Sequence, residues 1–355
     1  MMGNYKIEKF FSPYQSLSIL LILVFLSSFS FAQTLGGNAA YNFLNLPSSP
    51  LLTAAGGVNV SYNANDVSLA ANNPAFLQQS LTTQLNVSFN SFLAGIKNYS
   101  LTGAYYSQRL NTSFGGHVSY VDYGSIPATD AAGNISGSFH PADFVVQVSA
   151  AKKYLERWTY GTAIKFIQSS YPPYSSNAIA LDAGLLYTDS ANRFTASFLA
   201  KNMGTQLKTY TGVAEDLPFD LEAGISKRLS NAPFAFSFTV HHLHRFNLTY
   251  NDVAFNNDNS FSSPSSFDKI FNHFVLATHV YIGQNLEATI GYNHLRRQEL
   301  STSGAANGLT GFSAGLHIKF SKLQIQYART SYQRGVSFNQ LGLTVALNKL
   351  SGLGK

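Results

Sequence analysis

The stretch 234–240, FAFSFTV, carries a large apolar side chain at every even-numbered position and a small or polar one at every odd-numbered position. Because successive side chains of a β-strand point to opposite faces, this stretch forms a strand with one apolar and one polar face. The same alternation recurs many times along the chain. Many strands of this kind need an apolar medium on one side and water on the other. The pattern therefore predicts an all-β fold, a transmembrane antiparallel β-barrel.

Fourteen stretches show the alternation. The connections after even-numbered stretches are short, and those after odd-numbered stretches are long except for the first and the last of them. Outer-membrane barrels have an even number of strands, short periplasmic turns and longer outer loops. We therefore expect both ends of the chain on the periplasmic side. A soluble β-sandwich would explain neither this parity nor the aromatic faces. The predicted strands lie near 83–93, 97–108, 111–123, 142–154, 158–169, 177–188, 193–201, 217–229, 233–245, 273–283, 285–296, 309–320, 323–332 and 336–347, and the long outer connections are 124–141, 170–176, 202–216, 246–272 and 297–308.

The two ends of the chain differ from the predicted wall. Residues 1–32 resemble a secretory signal peptide, with a basic start, an apolar run, and the small residues Ser30 and Ala32 before a cleavage site. An uncleaved anchor is the alternative, although the apolar run is short for a membrane span. We assign the barrel to residues 82–347 and a C-terminal tail to residues 348–355.

Residues 33–81 lack the alternation and are rich in Gly, Ala, Asn and Ser. Prolines interrupt any long element, and the motif Asn73-Pro74-Ala75 stands just before the first strand. The segment is too long for a simple lead-in, and its scattered apolar residues favour packing. We predict a plug that folds into the barrel; a floppy periplasmic tail is the alternative.

Composition agrees with an exported barrel and excludes several functions. Only 11% of the residues are charged, yet the mean hydropathy is −0.01, because apolar and polar residues alternate. The 20 Tyr and 28 Phe suit a wall that faces lipid and its interfacial girdles. There is no cysteine, so disulfides and thiol chemistry are excluded. The net charge of +6 is modest and no Lys/Arg tract marks nucleic-acid binding, although lipopolysaccharide phosphates would suit this charge.

Two resemblances bear on function. The segment 58–77, VNVSYNANDVSLAANNPAFL, resembles the long-chain fatty-acid transporter family, in which a similar Asn-Pro-Ala segment belongs to the N-terminal plug of a fourteen-stranded barrel. A closer similarity covers nearly the whole chain after residue 32. The segments 36–57, 200–229, 286–300 and 311–332 resemble PorQ-type barrels of the Bacteroidetes type IX secretion system.

The PorQ-type resemblance implies a non-enzymatic scaffold in the cell outer membrane. Barrels of this family anchor a PorZ-like surface protein in an attachment complex that also holds a PorV-like barrel and a PorU-like sortase. That complex joins secreted cargo to anionic lipopolysaccharide. The alternative is an outer-membrane transporter or channel for small hydrophobic ligands, gated by the plug. Polar lumen positions such as Ser237 and Gln326 favour this alternative less.

A scaffold works through exposed loops, and two of them carry candidate partner-binding residues. The first loop is aromatic, and its prolines make it stiff. A stiff loop loses less entropy when it binds a partner. The second places phenylalanines on a background of Asn and Ser, and exposed aromatic residues are enriched at binding hot spots. These rings could equally fold back over the barrel mouth. The candidates are Tyr171, Pro172, Pro173 and Tyr174 in the first loop, and Phe255, Phe261 and Phe267 in the second.

Few residues suggest chemistry. On a continuous strand, His242 and His244 would share one face, but neither Cys nor a nearby carboxylate completes a metal-ligand set, so we expect them at headgroup level. The stretch 251–259 lacks the Gly and Glu of a calcium loop. No G-x-S-x-G motif occurs. We therefore predict no enzymatic activity, no metal and no cofactor. Charged mid-strand residues, Lys165, Asp182 and Lys201, should point into the lumen.

Overall fold

The chain folds into a closed barrel of fourteen antiparallel strands, which confirms the predicted fold class. A computed structural model describes residues 39–248, 266–300, 308–333 and 336–351. The predicted signal peptide and the last four residues of the predicted tail lie outside the described residues. The wall strands are β1 Gln84–Ser91, β2 Lys97–Ser107, β3 Thr112–Asp122, β6 Ala142–Tyr154, β7 Trp158–Tyr171, β8 Tyr174–Asp189, β9 Phe194–Lys208, β10 Asp220–Arg228, β11 Phe234–Val240, β12 Phe274–Ile282, β13 Leu286–Asn293, β14 Phe312–Lys319, β15 Leu323–Gln333 and β16 Val336–Ala346.

Each wall strand pairs with its neighbours along the wall, and β16 pairs with β1 to close the ring. The closing register aligns Gln84 with Ala346 and Ser91 with Asn339. The long connection between β3 and β6 forms a separate two-stranded sheet of β4, Ile126–Thr129, and β5, Ile135–Phe139. Because every wall strand has two partners, the wall has no open edge.

The two faces of the wall have the polarity that the alternation predicts. In β11, Ala235, Ser237 and Thr239 are buried, whereas Phe236 is 47% exposed on the outer face. The same pattern of buried polar and exposed apolar positions recurs in the other wall strands. A water-soluble barrel would bury its large apolar side chains instead. This inverted distribution is typical of a barrel that sits in lipid.

The connections largely confirm the predicted parity, with three corrections. Residues 170–176 are not a long loop, because β7 and β8 pair up to Tyr171 and Tyr174 and leave a two-residue turn. Strand β9 continues to Lys208, which shortens the loop that follows it. Strand β11 ends at Val240, so residues 241–245 are not strand.

Helices are short and lie at the strand ends or in the N-terminal residues. Within the described part of the chain, no helix has the length and apolarity needed to span a bilayer. The 3-10 helices are Asn42–Asn45, Val67–Ala71, Pro74–Phe76, Gln79–Leu81 and Leu93–Gly95, and the α-helices are Pro50–Ala54, Ser266–Phe271, His294–Glu299 and Leu347–Ser351.

Residues 39–81, here called the N-terminal segment, run along the inside of the wall. Ala39 forms an isolated bridge with Asp216, in the connection between β9 and β10 at the long-loop end. The segment then enters β1 from the short-turn end at Gln84. Residue 39 therefore lies at the long-loop end, and the two ends of the chain, whose side was predicted, lie outside the described residues. The predicted plug function of this segment stays a prediction.

Candidate functional site in the barrel interior and at its long-loop mouth

The N-terminal segment is joined to the inner face of the wall by hydrogen bonds on several sides. Short 3-10 and α-helical turns satisfy part of the backbone of the segment itself. Its hydrogen bonds to the wall are made mostly by side chains. The amide of Asn59 donates to the Ser237 hydroxyl over 2.8 Å, and the hydroxyls of Ser61 and Ser226 lie 2.7 Å apart. Thr53 donates to the side chain of Gln340. The segment thus contacts β10, β11 and β16 at once.

Asp66 is a buried carboxylate whose oxygens are satisfied by both the segment and the wall. It caps the helix Val67–Ala71 by accepting from the Ser68 amide over 2.9 Å. Its second oxygen accepts from Gln326 over 2.6 Å and from Thr344 over 2.8 Å. A hydrogen bond to a charged acceptor contributes about 1.5–3 kcal/mol, which is more than a neutral one contributes. Asp66 therefore pins the segment to β15 and β16.

The motif Asn73-Pro74-Ala75 is seated on a pair of wall glycines. Gly161 of β7 and Gly184 of β8 are directly paired. A Cβ added at Gly161 would lie 2.5 Å from the Pro74 carbonyl carbon, and one at Gly184 would lie 2.4 Å from the Asn73 side-chain oxygen. Only glycine leaves room for the motif to lie this close to the wall. Its predicted role as a plug motif stays a prediction.

Two clusters of charged residues inside the wall pair opposite charges. Lys165 lies 2.6 Å from Asp182, and Asn202 accepts a hydrogen bond from the same ammonium group over 2.7 Å. The inward position expected for Lys165 and Asp182 is confirmed. In the second cluster, the buried carboxylate of Glu287 lies 3.3 Å from the ring of His279 and 3.2 Å from Lys319. Both clusters pair opposite charges, as buried charges require.

The free space is unevenly distributed along the barrel axis. A cavity beside Lys165 and Lys201, deep in the interior, has a volume of only about 40 Å³. Two larger cavities, of about 530 Å³ and 440 Å³, lie at the long-loop end and are lined in part by residues 39–45. These two cavities at the mouth are therefore candidate binding sites for a small molecule.

The smaller mouth cavity is lined by aromatic side chains around one carboxyl group. The hydroxyl of Tyr123 donates to Asp143 over 2.6 Å, and that of Tyr171 does so over 3.3 Å. The ring of Tyr171 also lies against those of Tyr123 and Tyr210. Of the first predicted partner-binding loop, Tyr171 and Tyr174 both line the cavity. Pro172, Pro173 and Tyr174 are exposed, with Tyr174 at 54%.

The second predicted partner-binding loop is only partly described. Phe255 and Phe261 lie outside the described residues, as does the calcium-like stretch 251–259. Phe267 is in the helix Ser266–Phe271, where its ring is 60% exposed and stacks on Phe271 at 3.9 Å. Phe267 is therefore neither free in a loop nor buried over the mouth. Binding of a partner by these residues stays a prediction.

The larger mouth cavity is lined by His242 and His244, which do not lie where the sequence placed them. Strand β11 ends at Val240, and His242 has a left-handed backbone conformation with a φ of 55°. The chain therefore turns inward here instead of continuing as a strand. The Nδ1 atom of His242 lies 3.4 Å from a carboxylate oxygen of Asp220, and that of His244 lies 3.7 Å from the same oxygen. The continuous strand expected through these histidines is wrong, and their position at headgroup level stays a prediction.

Burial determines the protonation of these two rings. It lowers the pKa of His242 to about 3, with further lowering by the nearby His244, His273, Arg245 and Lys201. The same effect, together with Arg245 and His273, lowers the pKa of His244 to about 4. Both rings are therefore neutral at neutral pH. At neutral pH, two uncharged imidazole rings therefore contact the carboxyl group of Asp220.

Asp220 is the functional candidate that reading the sequence missed, and a signal for it was present. Strands β10 and β11 are joined by a short turn, which determines their register. The observed pairing of Ala223 with Val240 places Asp220 level with residue 243, between the two histidines. The carboxylate that accompanies the histidines lies across the hairpin and not close to them in the sequence.

Comparison with known proteins supports the fold. No protein family matches the sequence, and no curated protein resembles it significantly. Among solved structures, the Ralstonia pickettii toluene transporter TbuX matches with 11% identity and a TM-score of 0.52, over 85% of this chain and 98% of that chain. A deltaS2 mutant of the TodX monoaromatic hydrocarbon channel matches with 12% identity and a TM-score of 0.49, over 85% and 98%. A Pseudomonas aeruginosa FadL homologue matches with 11% identity and a TM-score of 0.47, over 84% and 98%. At this identity, the likeness to TbuX shows that the barrel has the fold of a bacterial outer-membrane protein.

Proposed function

We propose that this chain is a non-enzymatic scaffold of the cell outer membrane, which holds a surface protein at its long-loop end. The observation that supports the proposal is the N-terminal segment inside the barrel, which is hydrogen-bonded to the wall on several sides. A barrel whose interior is occupied in this way acts through its outward surfaces. The resemblance to PorQ-type barrels adds the class of partner.

Polarity of the interior supports a scaffold over a hydrophobic channel. The buried positions of the wall include Gln147, Gln326, Gln340 and Ser237, all of which make hydrogen bonds. An apolar molecule that passed them would have to break their hydrogen bonds, and each polar group left unsatisfied costs about 1–3 kcal/mol. Sites for small apolar ligands are lined mainly by apolar and aromatic side chains.

The long-loop end offers apolar surface for a protein partner. In the β4–β5 sheet, Ile135 is 71% exposed, and Val213 in the next long connection is 70% exposed. Exposed apolar side chains on polar loops mark interaction surfaces when they lie together at one end. We infer a PorZ-like surface protein as the partner, in a complex with a PorV-like barrel and a PorU-like sortase that attaches cargo to lipopolysaccharide.

The proposal is tested by matched substitutions at the two ends of the barrel. Ile135→Asp changes the long-loop end, and Leu155→Asp changes a residue that is 73% exposed in a short turn at the opposite end. Both variants should fold, as measured by heat-modifiable gel mobility. The affinity of cells with Ile135→Asp for the surface partner should fall at least about tenfold, so washed cells should retain less of it. The reason is that a buried aliphatic contact contributes about 1.5–3 kcal/mol.

Two results would contradict the scaffold. One is equal partner retention by Ile135→Asp and Leu155→Asp, which would move the docking surface elsewhere. The other is unchanged attachment of secreted cargo in cells from which the whole barrel is deleted. The second result would remove the scaffold function altogether.

A transporter of small apolar molecules is the second candidate, and one observation favours it. The fold resembles that of TbuX, described as a toluene transporter, and cavities of about 530 Å³ and 440 Å³ stand at the mouth. Uptake of radiolabelled toluene by cells with and without the barrel separates the two functions. A scaffold gives equal uptake, whereas a transporter gives faster uptake in cells that carry the barrel.

A further inference from the structure

Asp220, His242 and His244 form a compact group of potential metal ligands at the long-loop mouth. One ligand atom from each residue can be chosen so that all three lie within 4.8 Å of one another. The three residues come from the start of β10 and from the turn after β11, so the hairpin brings them together. We propose that they bind a divalent transition-metal ion of the zinc type.

The distances fit the geometry of such an ion. The Nδ1 atoms of His242 and His244 lie 3.4 Å and 3.7 Å from the same oxygen of Asp220. Ligand atoms that are about 2.0–2.1 Å from a tetrahedral zinc ion lie about 3.3 Å from each other. The ligand atoms of the two histidines lie within 4.8 Å of each other, so an ion bound by all three residues would draw these two rings closer together.

The backbone holds the ligands in place before any ion binds. The amide of His242 donates to the Asp220 carboxylate over 2.6 Å. The amide of Leu243 donates to the carbonyl of Leu221 over 3.0 Å, and that of His241 to the carbonyl of His273 over 3.0 Å. These bonds fix the turn that carries both histidines against β10. Such preorganisation lowers the entropic cost of binding a ligand.

One of the proposed ligand atoms has no hydrogen-bond partner in the described part of the protein. The Nδ1 atom of His244 is buried and has no hydrogen-bond partner. A buried polar atom without a partner costs about 1–3 kcal/mol, which a metal ion would offset. Two imidazole nitrogens and one carboxylate oxygen are donors that suit zinc and related ions better than calcium or magnesium, which prefer oxygen.

Three protein ligands leave one coordination position open toward the cavity of about 530 Å³. Zinc sites with an open position bind water or an exogenous donor there. The cavity is also lined by Arg245 and Glu299, so an ion would have one cationic and one carboxyl neighbour. The ion would tie the turn 241–248 to β10 at the end of the barrel that faces outward.

The test is zinc binding by the full chain, purified in detergent without a histidine tag and stripped with a chelator. Zinc content after dialysis is measured by mass spectrometry, and affinity by calorimetry with Zn²⁺, with Mg²⁺ and Ca²⁺ as comparison ions. We expect about one zinc per chain and no response to Mg²⁺ or Ca²⁺. The ligand variants are Asp220→Asn and His244→Ala, and His140→Ala removes an exposed histidine in the β5–β6 connection as the matched control.

Both ligand variants should bind zinc at least about tenfold more weakly than the control, because even the loss of an outer-shell partner costs about 10–100-fold. Absence of zinc binding by the unmodified chain, or equal binding by His244→Ala and His140→Ala, would overturn the proposal. If a ligand variant loses its heat-modifiable mobility and so does not fold, the proposal is tested by the absorption spectrum of Co²⁺ added to the unmodified chain. Tetrahedral Co²⁺ absorption that Zn²⁺ removes supports the site, and a spectrum of hydrated Co²⁺ overturns it.

Discussion

The barrel interior and the long-loop mouth use similar residues in different ways. In the interior, Asp66 and Lys165 are fully engaged with partners from two elements each. At the mouth, the rings of His241 and His244 and the amide of Asn272 carry buried atoms without a hydrogen-bond partner. Buried atoms without a partner also occur in the interior, on Glu222 and Thr239, but that of His244 lies beside a cavity of about 530 Å³, so the mouth combines an unsatisfied group with free volume. Binding sites in proteins commonly combine these two features.

The largest effect should follow from breaking an interior ion pair. Lys165→Met leaves the buried Asp182 without its cation and should lower the free energy of unfolding by about 3–5 kcal/mol. Lys152→Met, on an exposed position of β6, should change it by no more than about 0.5 kcal/mol. Urea unfolding in detergent, followed by heat-modifiable mobility, measures both. Equal stability of the two variants would show that the interior pair is not what holds this region.

The next effect distinguishes the wall from the mouth on the outer face. Phe238→Arg places a charge in the middle of β11 and should cost about 2–4 kcal/mol if that position is at the bilayer midplane. Phe246→Arg, beyond the strand end, should cost only about 0–1 kcal/mol. Folding into lipid vesicles at increasing urea concentration gives both values. A similar cost for the two would mean that β11 does not cross the bilayer as proposed.

A smaller effect should come from the glycine seat of the N-terminal segment. Gly161→Ala brings a Cβ to within 2.5 Å of Pro74, so the segment must shift, at a cost of about 1–3 kcal/mol. Gly116→Ala is the matched control, since a Cβ there has no atom within 4 Å. Limited proteolysis should cleave residues 47–81 faster in Gly161→Ala alone. Unchanged cleavage would mean that the motif Asn73-Pro74-Ala75 does not depend on this seat.

The smallest effect separates two tyrosines of one turn. Tyr171→Phe removes a hydrogen bond to Asp143 and should destabilise the barrel by about 0.5–1.5 kcal/mol. Tyr174→Phe removes an exposed hydroxyl and should not alter stability. Partner retention on cells should show the reverse order if Tyr174 contacts the surface partner. Loss of the partner in Tyr171→Phe alone would mean that Tyr174 does not contact it.

Local sequence predicted the wall well and the mouth poorly. Residues 234–240 show why the wall succeeds, since their alternation is complete within one strand and needs no distant partner. Residues 241–245 show why the mouth fails. Their side chains continue the pattern in sequence, yet the chain turns inward because hydrogen bonds from His242 to Asp220 and from Leu243 to Leu221 hold it there.

The sequence by itself determined the number of strands, their two faces and most of the loop parity, because period two and turn chemistry are local properties. Only the tertiary structure decided which residues meet inside the barrel. Asp66 reaches Gln326 and Thr344 across more than two hundred positions, and Asp220 reaches His242 across a hairpin. Such contacts depend on how the wall closes and on the path of the N-terminal segment. Both follow from the sum of all pairings, which no single stretch of sequence contains.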